Sequence, residues 1–169
     1  MTEQIPDTCT IDGRLWSIEE WDGSFDAIPD NKALGFETHF QSTANWAGRI
    51  DHYLVFKNQF YLFKVEVDLA EEDKNLIPFG ARREVRQIYE PMEVHDSQGM
   101  RFEEMLHEHR YFIYDDLKID FSGTLKLSFP VWDPWDVPWP VSEEDIEPTH
   151  EAELVFSEGI VVSFDSWSL

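Results

Sequence analysis

The chain has 169 residues, of which 42% are hydrophobic and 15% aromatic, and its formal net charge is −22 at pH 7. This length and apolar content predict a single domain over residues 1–169, with a core that needs no metal or disulfide. A negative charge of this size repels nucleic acid and anionic membranes, so the composition argues against both as direct partners and favours a basic protein surface.

The single cysteine and the amino terminus predict an intracellular protein. Cys9 alone cannot form an internal disulfide or a thiolate-rich metal site, which fits a reducing compartment. The first residues, "MTEQIPDTCTIDG", contain neither a basic start nor an apolar stretch, and no window reaches the roughly 18 apolar residues that a membrane helix needs. We therefore expect a cytoplasmic protein without membrane contact.

The negative charge is concentrated at the two ends of the chain. Residues 1–30 hold eight acidic side chains against Arg14, a net charge of −7, and residues 127–169 hold ten acidic side chains and no Lys or Arg, a net charge of −10. The residues between them carry only −5. If the two ends lie side by side in the fold, one face carries a strong negative field that attracts basic protein surfaces.

Alternating apolar and polar residues predict strands in the first half of the chain. A short strand is expected in "GRLWSIEEW", and a second strand over 34–40, where Leu34 and Phe36 begin the alternation. The stretch "RIDHYLVFKNQFYLFKVEVDL" predicts a hairpin, with strands at 49–57 and 59–68 on either side of a polar break.

One segment has the spacing of a helix. In "GMRFEEMLHEHR", residues Phe102, Met105, Leu106 and His109 follow the i, i+3, i+4, i+7 pattern, which predicts one helix within 98–109. Residues 70–99 are interrupted by Pro78, Gly80 and Pro91, and their pattern leaves the structure of this stretch open.

The last third of the chain predicts two further hairpins. The first has strands at 111–121 and 124–129 and turns at Ser122-Gly123, and the second has strands at 151–157 and 160–165 and turns at Ser157-Glu158-Gly159. Several antiparallel hairpins with one helix predict an all-β (or β-rich α+β) fold: an antiparallel sandwich or partly closed barrel of about eight strands with one short helix.

The Pro/Trp-rich connection at 130–148 is the most unusual stretch of the chain. Within "FPVWDPWDVPWPVSEEDIEPTHE" the prolines prevent a regular helix, so an extended, polyproline-like run is expected. Its indoles either plug the end of the barrel or stay exposed beside carboxylates, where they would bind cationic side chains. The second reading gives the predicted partner-binding residues: Trp132, Asp133, Trp135, Asp136, Trp139, Glu143, Glu144, Asp145 and Glu147.

Signatures of catalysis and cofactor binding are absent from the sequence. It contains no G-x-S-x-G nucleophile elbow and no Gly-rich phosphate loop, so no catalytic residue and no cofactor is predicted. A metal site on the predicted helix would use Glu103 and His107, which lie one helical turn apart, with Glu104 and His109 beside them. The same four residues make an ordinary solvated helix face, and no metal site is predicted.

Three stretches resemble a group of small uncharacterised bacterial all-β proteins. These stretches are "NWAGRIDHYLVFKNQFYLFKVEV", "DFSGTLKLSF" and "ELVFSEGIVVSF". They match a Trp-x-Gly start, an LYL-like strand, a Phe-x-Gly-x-Leu hairpin and a Gly-led final strand. The resemblance implies a bacterial or phage-like context in which many such proteins neutralise toxins or serve as accessory proteins, and it carries over no functional residue.

Two functions of different classes follow. The first is an acidic non-catalytic binding protein that neutralises or masks a basic protein partner, such as a toxin, nuclease or defence protein, as an immunity protein or nucleic-acid mimic does. The alternative is a small-ligand-binding or metal-binding β-barrel, possibly an enzyme, with a pocket lined by the tryptophans and by Tyr53, Phe56, Phe60 and Tyr61. The first function uses both the charge and the aromatic residues, whereas the second leaves the charge unexplained.

Overall fold

The computed structural model describes residues 6–38, 48–131 and 147–169, with the backbone alone at Ile88, Glu90 and His107. Across these ranges the chain is rich in strands, with one short α-helix, α1 (Asn31–Leu34). The strands are β1 (Thr8–Ile11), β2 (Arg14–Gly23), β3 (Arg49–Phe56), β4 (Gln59–Val67), β5 (Ala81–Asp96), β6 (Gly99–Tyr114), β7 (Gly123–Phe129), β8 (His150–Ser157) and β9 (Ile160–Ser168). Short 3-10 turns lie at Phe25–Ala27 and Glu71–Asp73.

The nine strands of the described ranges form one sheet that closes on itself. The order is β3-β1-β2-β7-β8-β9-β4-β6-β5, and β3 also pairs with β4, so the first seven strands of this order make a ring. All pairings are antiparallel except that between β1 and β3. This arrangement confirms the predicted all-β class.

The ring has its shortest strand pairing between β4 and β9, which share one register pair, Gln59 with Ile160. The extended segment 117–121 lies beside this gap. The Leu62 amide donates to the Leu117 carbonyl at 2.9 Å, and the Gly159 amide donates to the Phe121 carbonyl at 2.8 Å. The segment therefore supplies backbone partners that β4 and β9 do not give each other.

Two-residue turns join the paired strands at β3–β4 and β8–β9. Lys57 and Asn58 have φ values of 50° and 62°, and Glu158 and Gly159 have 50° and 76°, as a type I′ turn requires. The hairpins predicted at these two places are therefore confirmed.

Aromatic side chains fill the interior of the ring. Tyr53 and Phe60 stack with ring centroids 4.9 Å apart, and Phe60 stacks on Phe156 at 4.4 Å. Trp16 and Phe121 are also completely or nearly completely buried. With the buried aliphatic side chains they form one continuous hydrophobic core.

The prediction of a helix within 98–109 is wrong, because residues 99–109 belong to strand β6. β6 pairs with β5 over its whole length, from Ala81–Tyr114 to Asp96–Gly99. Only Arg110–Ile113 of β6 also pair with β4, so most of this hairpin projects from the ring. Most side chains on both of its faces are exposed, so no buried face imposes period-2 alternation, and the helical spacing is coincidental. The other strand of this hairpin, β5, lies within residues 70–99, whose structure the sequence pattern left open.

The strand predicted over 34–40 is also wrong within its described part. Leu34 ends α1, and residues 35–38 form no strand, while residues 39 and 40 lie outside the described ranges. The Asp30 side chain caps the helix by accepting a hydrogen bond from the Ala33 amide at 2.7 Å, and Gly35 ends it with a φ of 87°. These caps decide the local structure in favour of a helix.

The hairpin predicted at Ser122-Gly123 is the third error. β7 pairs with β2 and β8, not with residues 117–121. Gly123 has a φ of 150°, and a Cβ there would lie 2.1 Å from the Asp22 carbonyl oxygen. The glycine permits close approach to β2 and does not form a hairpin turn.

Candidate protein-binding face

The two acid-rich ends of the chain form adjacent strands. β2, from the amino-terminal end, pairs with β7, which pairs with β8, which in turn pairs with β9. Ile18, Leu127 and Ala152 of these strands point into the core. The residues that alternate with them point outward, so both ends contribute to one outer surface.

Carboxylates dominate this outer surface. One row of paired residues crosses all four strands: Glu20, Lys126, Glu153 and Asp165. Asp22 and Glu151 lie two residues along their strands from this row, on the same side of the sheet. We call Glu20, Asp22, Glu151, Glu153 and Asp165 the acidic face. All but the half-buried Glu151 are exposed.

Lys126 is the one cation in the register rows that make up the acidic face. Its Nζ lies 2.8 Å from Glu20 Oε2. This hydrogen bond chiefly raises the pKa of Lys126, and the charges of Glu153 and Asp22 add to the effect. An exposed ion pair of this kind contributes little to stability. Five carboxylates against one ammonium leave a local negative potential for a cationic partner.

Trp167 provides an aromatic group at the edge of the acidic face. It pairs with Glu151 and follows Asp165 by two residues, so its side chain is on the same side of the sheet. The indole is 43% exposed. A half-exposed indole can pack against the aliphatic part of a Lys or Arg side chain, while the neighbouring carboxylates attract its positive charge. Sequence reasoning missed Trp167, although its alternation with Ser166 and Phe164 in "FDSWS" could have placed it there.

The predicted partner-binding residues fall almost entirely outside the described ranges. Glu147 is exposed and precedes β8 by three residues. The others are Trp132, Asp133, Trp135, Asp136, Trp139, Glu143, Glu144 and Asp145. Their role as partner-binding residues remains a prediction.

A buried ion cluster lies on β3, away from the acidic face. Arg49 Nε and Nη2 donate to the two carboxylate oxygens of Asp51 at 2.6 and 2.7 Å. Arg49 Nη1 also donates to the Pro29 carbonyl at 2.9 Å, and the Tyr53 hydroxyl donates to Asp51 at 2.9 Å. Burial chiefly raises the pKa of Tyr53, which therefore stays a neutral donor. Sequence reasoning missed this cluster, although Arg49, Asp51 and Tyr53 alternate on one face of β3 and this spacing is visible in the sequence.

Asp7 adds a second carboxyl group to the cluster. Its Oδ1 accepts a hydrogen bond from the Asp51 amide at 2.8 Å. Burial, with a smaller contribution from the Asp51 charge, raises the pKa of Asp7 to about 7. A cavity of about 390 Å³ opens here. Its lining residues are Asp7, Ile28, Pro29, Asp30, Asn31, Arg49 and Asp51.

The cluster has the geometry of a structural clamp. A carboxyl group with a raised pKa beside a second carboxyl group resembles an acid–base pair. However, Arg49 and Asp51 direct their hydrogen bonds to protein groups and so join β3 to the segment around Pro29. An ion pair satisfied in this way holds the local fold, and breaking it leaves a buried charge without a partner.

The raised pKa of Asp7 predicts a specific pH dependence of stability. Between about pH 4 and pH 7 the folded protein keeps a proton on Asp7 that the unfolded chain releases, so this group's contribution to stability falls as the pH rises through that window. Asp7→Asn should remove the fall. Urea unfolding at several pH values measures it, with Asp26→Asn as the same substitution at an exposed position. Parallel stability profiles of the two variants would contradict the prediction.

The discounted metal site does not assemble. Glu103 and His107 lie four residues apart on a strand, about 13 Å along its axis, instead of one helical turn. His109 Nδ1 instead lies 2.5 Å from Glu66 Oε1 on β4. Within the part of the chain that the structure describes, no three His, Cys, Asp or Glu side chains are grouped so that they could hold a metal ion.

Among the described residues suggested for a ligand pocket, the aromatic side chains of β3 and β4 differ in their surroundings. Tyr53 and Phe60 are packed against each other in the core, whereas Phe56 is 55% exposed at the end of β3. The cavity beside Asp7 contains none of these side chains.

Comparisons with known proteins add no assignment. No helix among the described residues is long and apolar enough to cross a membrane. Comparisons with protein-family models, with curated proteins and with solved structures found no match, so the resemblance to small bacterial all-β proteins stays an expectation.

Proposed function

We propose that this chain is an acidic, non-catalytic binding protein that masks a basic surface of a protein partner, in the manner of an immunity protein or a nucleic-acid mimic. The observation that carries the proposal is the acidic face. There five carboxylates and one ammonium lie in adjacent register rows across four neighbouring strands.

The geometry of the face suits a broad basic surface better than a single ion. Neighbouring strands lie about 4.8 Å apart, so the row from Glu20 to Asp165 spans roughly 14 Å. Charges spread over this distance speed the encounter with a partner of opposite charge. Trp167 at the edge of the face supplies the apolar contact that slows dissociation.

The small-ligand alternative has one observation in its favour, the cavity of about 390 Å³ beside Asp7. Two of the ionisable side chains that line it, Arg49 and Asp51, already bind each other. A ligand would have to compete with these internal contacts, and the acidic face would have no role. The masking function therefore accounts for more of the molecule.

Capture from a lysate of the native host tests the proposal. We compare the wild type with a face variant, Glu20→Gln, Glu153→Gln and Asp165→Asn, and with a control variant, Asp26→Asn, Glu72→Gln and Asp116→Asn. All six residues are exposed, and both variants lose three negative charges. The wild type and the control should retain the same basic protein, and the face variant should lose it. Equal retention by all three, or no basic protein retained by the wild type, would contradict the proposal.

A further inference from the structure

The cavity beside Asp7 is built by three separate parts of the chain. Asp7 directly precedes β1, residues 28–31 lead from the first 3-10 turn into α1, and Arg49 belongs to β3. Arg49 Nη1 donates to the Pro29 carbonyl at 2.9 Å and to Asn31 Oδ1 at 3.0 Å, which fixes the 28–31 segment against β3. The walls of the cavity are therefore held in place before any ligand binds, and such preorganisation favours binding.

The Arg49–Asp51 pair forms part of this wall and is already engaged. Arg49 Nε and Nη2 donate to the two carboxylate oxygens of Asp51, which also accepts a hydrogen bond from the Tyr53 hydroxyl. Competition with these contacts arises only for a ligand that binds Arg49 or Asp51 directly.

Two other carboxyl groups of the cavity each keep one oxygen atom without a partner. Asp7 accepts through Oδ1 from the Asp51 amide, and Asp30 accepts through Oδ1 from the Ala33 amide. Among the described residues, none donates a hydrogen bond to Oδ2 of Asp7 or of Asp30. Asp7 is largely buried, so little bulk water surrounds its free oxygen. This oxygen is therefore a strong acceptor for a donor placed in the cavity.

The charge of the lining selects a cation. Arg49 and Asp51 neutralise each other, which leaves Asp7 and Asp30 as the carboxyl groups without a counter-ion. Among the described residues that line the cavity, Arg49 is the only cation. A metal ion does not fit, because no three His, Cys, Asp or Glu side chains of the described ranges are grouped suitably. The ligand is therefore an organic cation.

The size and the apolar part of the lining indicate the shape of this cation. A volume of about 390 Å³ lies within the range of about 300–1,000 Å³ that is typical of small-molecule sites. Ile28 and Pro29 line the cavity together with the carboxyl groups. A hydrocarbon chain with a terminal ammonium group would contact both kinds of wall. Its N–H groups also match a cavity that offers mainly acceptors.

We propose that this cavity binds an alkylammonium ion, which donates a hydrogen bond to Asp7 Oδ2 and is attracted further by the carboxylate of Asp30. The site is separate from the acidic face, which lies on β2, β7, β8 and β9. Binding there leaves the contacts between Arg49 and Asp51 in place.

Binding is coupled to the ionisation of Asp7. The titratable groups around Asp7 are Arg49, Asp51 and Tyr53 on β3 and Asp30 in the same cavity. Burial, with a smaller contribution from the Asp51 charge, raises the pKa of Asp7 to about 7. A protonated carboxyl group does not attract a cation, so the affinity should rise about 10-fold from about pH 6 to about pH 8.

Chemical-shift titration of the full chain by NMR tests the site with two small cations. The Asp51 amide is the reporter, because it donates to Asp7. At about pH 8, n-butylammonium should give saturable shifts with a dissociation constant of about 1 mM or lower. Tetramethylammonium has the same charge but no N–H group, and should bind at least about 10-fold more weakly. Equal binding of the two ions, or no saturation by about 50 mM n-butylammonium, would overturn the proposal.

A third probe, Nα-acetyl-lysine N-methylamide, identifies the source of the ammonium group. Binding as tight as that of n-butylammonium or tighter would indicate a lysine side chain of a protein. Weaker binding would indicate a free amine. Both outcomes support a site for alkylammonium ions.

Substitutions test the role of Asp7. Asp7→Asn keeps an oxygen for the Asp51 amide but removes the charge, so it should weaken n-butylammonium binding about 10-fold or more at about pH 8 and abolish its pH dependence. Asp30→Asn can still cap α1 and should also weaken binding. Asp26→Asn is the matched control at an exposed position outside the cavity and should leave binding unchanged. Circular dichroism confirms that each variant is folded. Folded Asp7→Asn or Asp30→Asn that binds as tightly as Asp26→Asn would contradict the proposal.

Discussion

Replacing Arg49 by Met should lower the free energy of unfolding by about 3–5 kcal/mol, because the buried Asp51 carboxylate then loses its partner. The two side chains are only 12% and 7% exposed, so solvent cannot replace the lost contact. Asn31 Oδ1 and the Pro29 carbonyl also lose a donor each. Urea denaturation at neutral pH measures the effect.

Two further variants identify the cause of the loss. Arg86→Met removes an exposed arginine and should change stability by less than about 0.5 kcal/mol. The double variant Arg49→Met, Asp51→Leu removes both charges and should be more stable than Arg49→Met alone, since no unpaired charge remains. A cost below about 1 kcal/mol for Arg49→Met would show that the cluster does not hold the fold. Unchanged capture of a basic partner by folded Arg49→Met would separate this cluster from partner binding.

Local sequence signals predicted the parts of the fold that depend on neighbouring residues. The turns at Lys57-Asn58 and Glu158-Gly159 join strands that alternate clearly on both sides, and both hairpins are present. Ser122-Gly123 also has the sequence of a tight turn, but its glycine serves another purpose. Gly123 is needed for close contact with β2, a strand about a hundred residues earlier in the chain. A single sequence cannot distinguish these two uses of glycine.

The β5–β6 hairpin shows where periodicity fails. Period-2 alternation reports a strand with one buried face, but both faces of this hairpin are mostly exposed beyond its contact with β4. Phe102, Met105 and Leu106 therefore carry no reliable strand signal, and their spacing matches a helix by chance.

The candidate site was predictable in its charge but not in its residues. The concentration of acids at residues 1–30 and 127–169 predicts one negative face if the ends meet, and the pairing of β2 with β7 brings them together. Which acids share the face depends on register across four strands, and so on contacts between residues far apart in sequence. The addition of Asp7 to the Arg49–Asp51 pair depends in the same way on a contact between distant residues.

Neutralising the acidic face should slow association with a basic partner about 10-fold or more at low salt, because the face steers the encounter through long-range attraction. The variant is the one used for capture, with Glu20, Glu153 and Asp165 replaced by their amides. Its dissociation rate should change less.

Trp167→Ala should affect the dissociation rate more than the association rate. Dissociation should be faster by about 30-fold if the indole is a central anchor worth about 2 kcal/mol.

The most direct test is the association rate constant of the captured partner, measured at low and at physiological salt for the wild type, the face variant and the control variant. The account predicts fast, steeply salt-dependent association for the wild type and the control, and slow association with little salt dependence for the face variant. Because the face and control variants carry the same net charge, equal slowing in both would show that overall charge, and not the face on β2, β7, β8 and β9, governs recognition. That result would contradict the account.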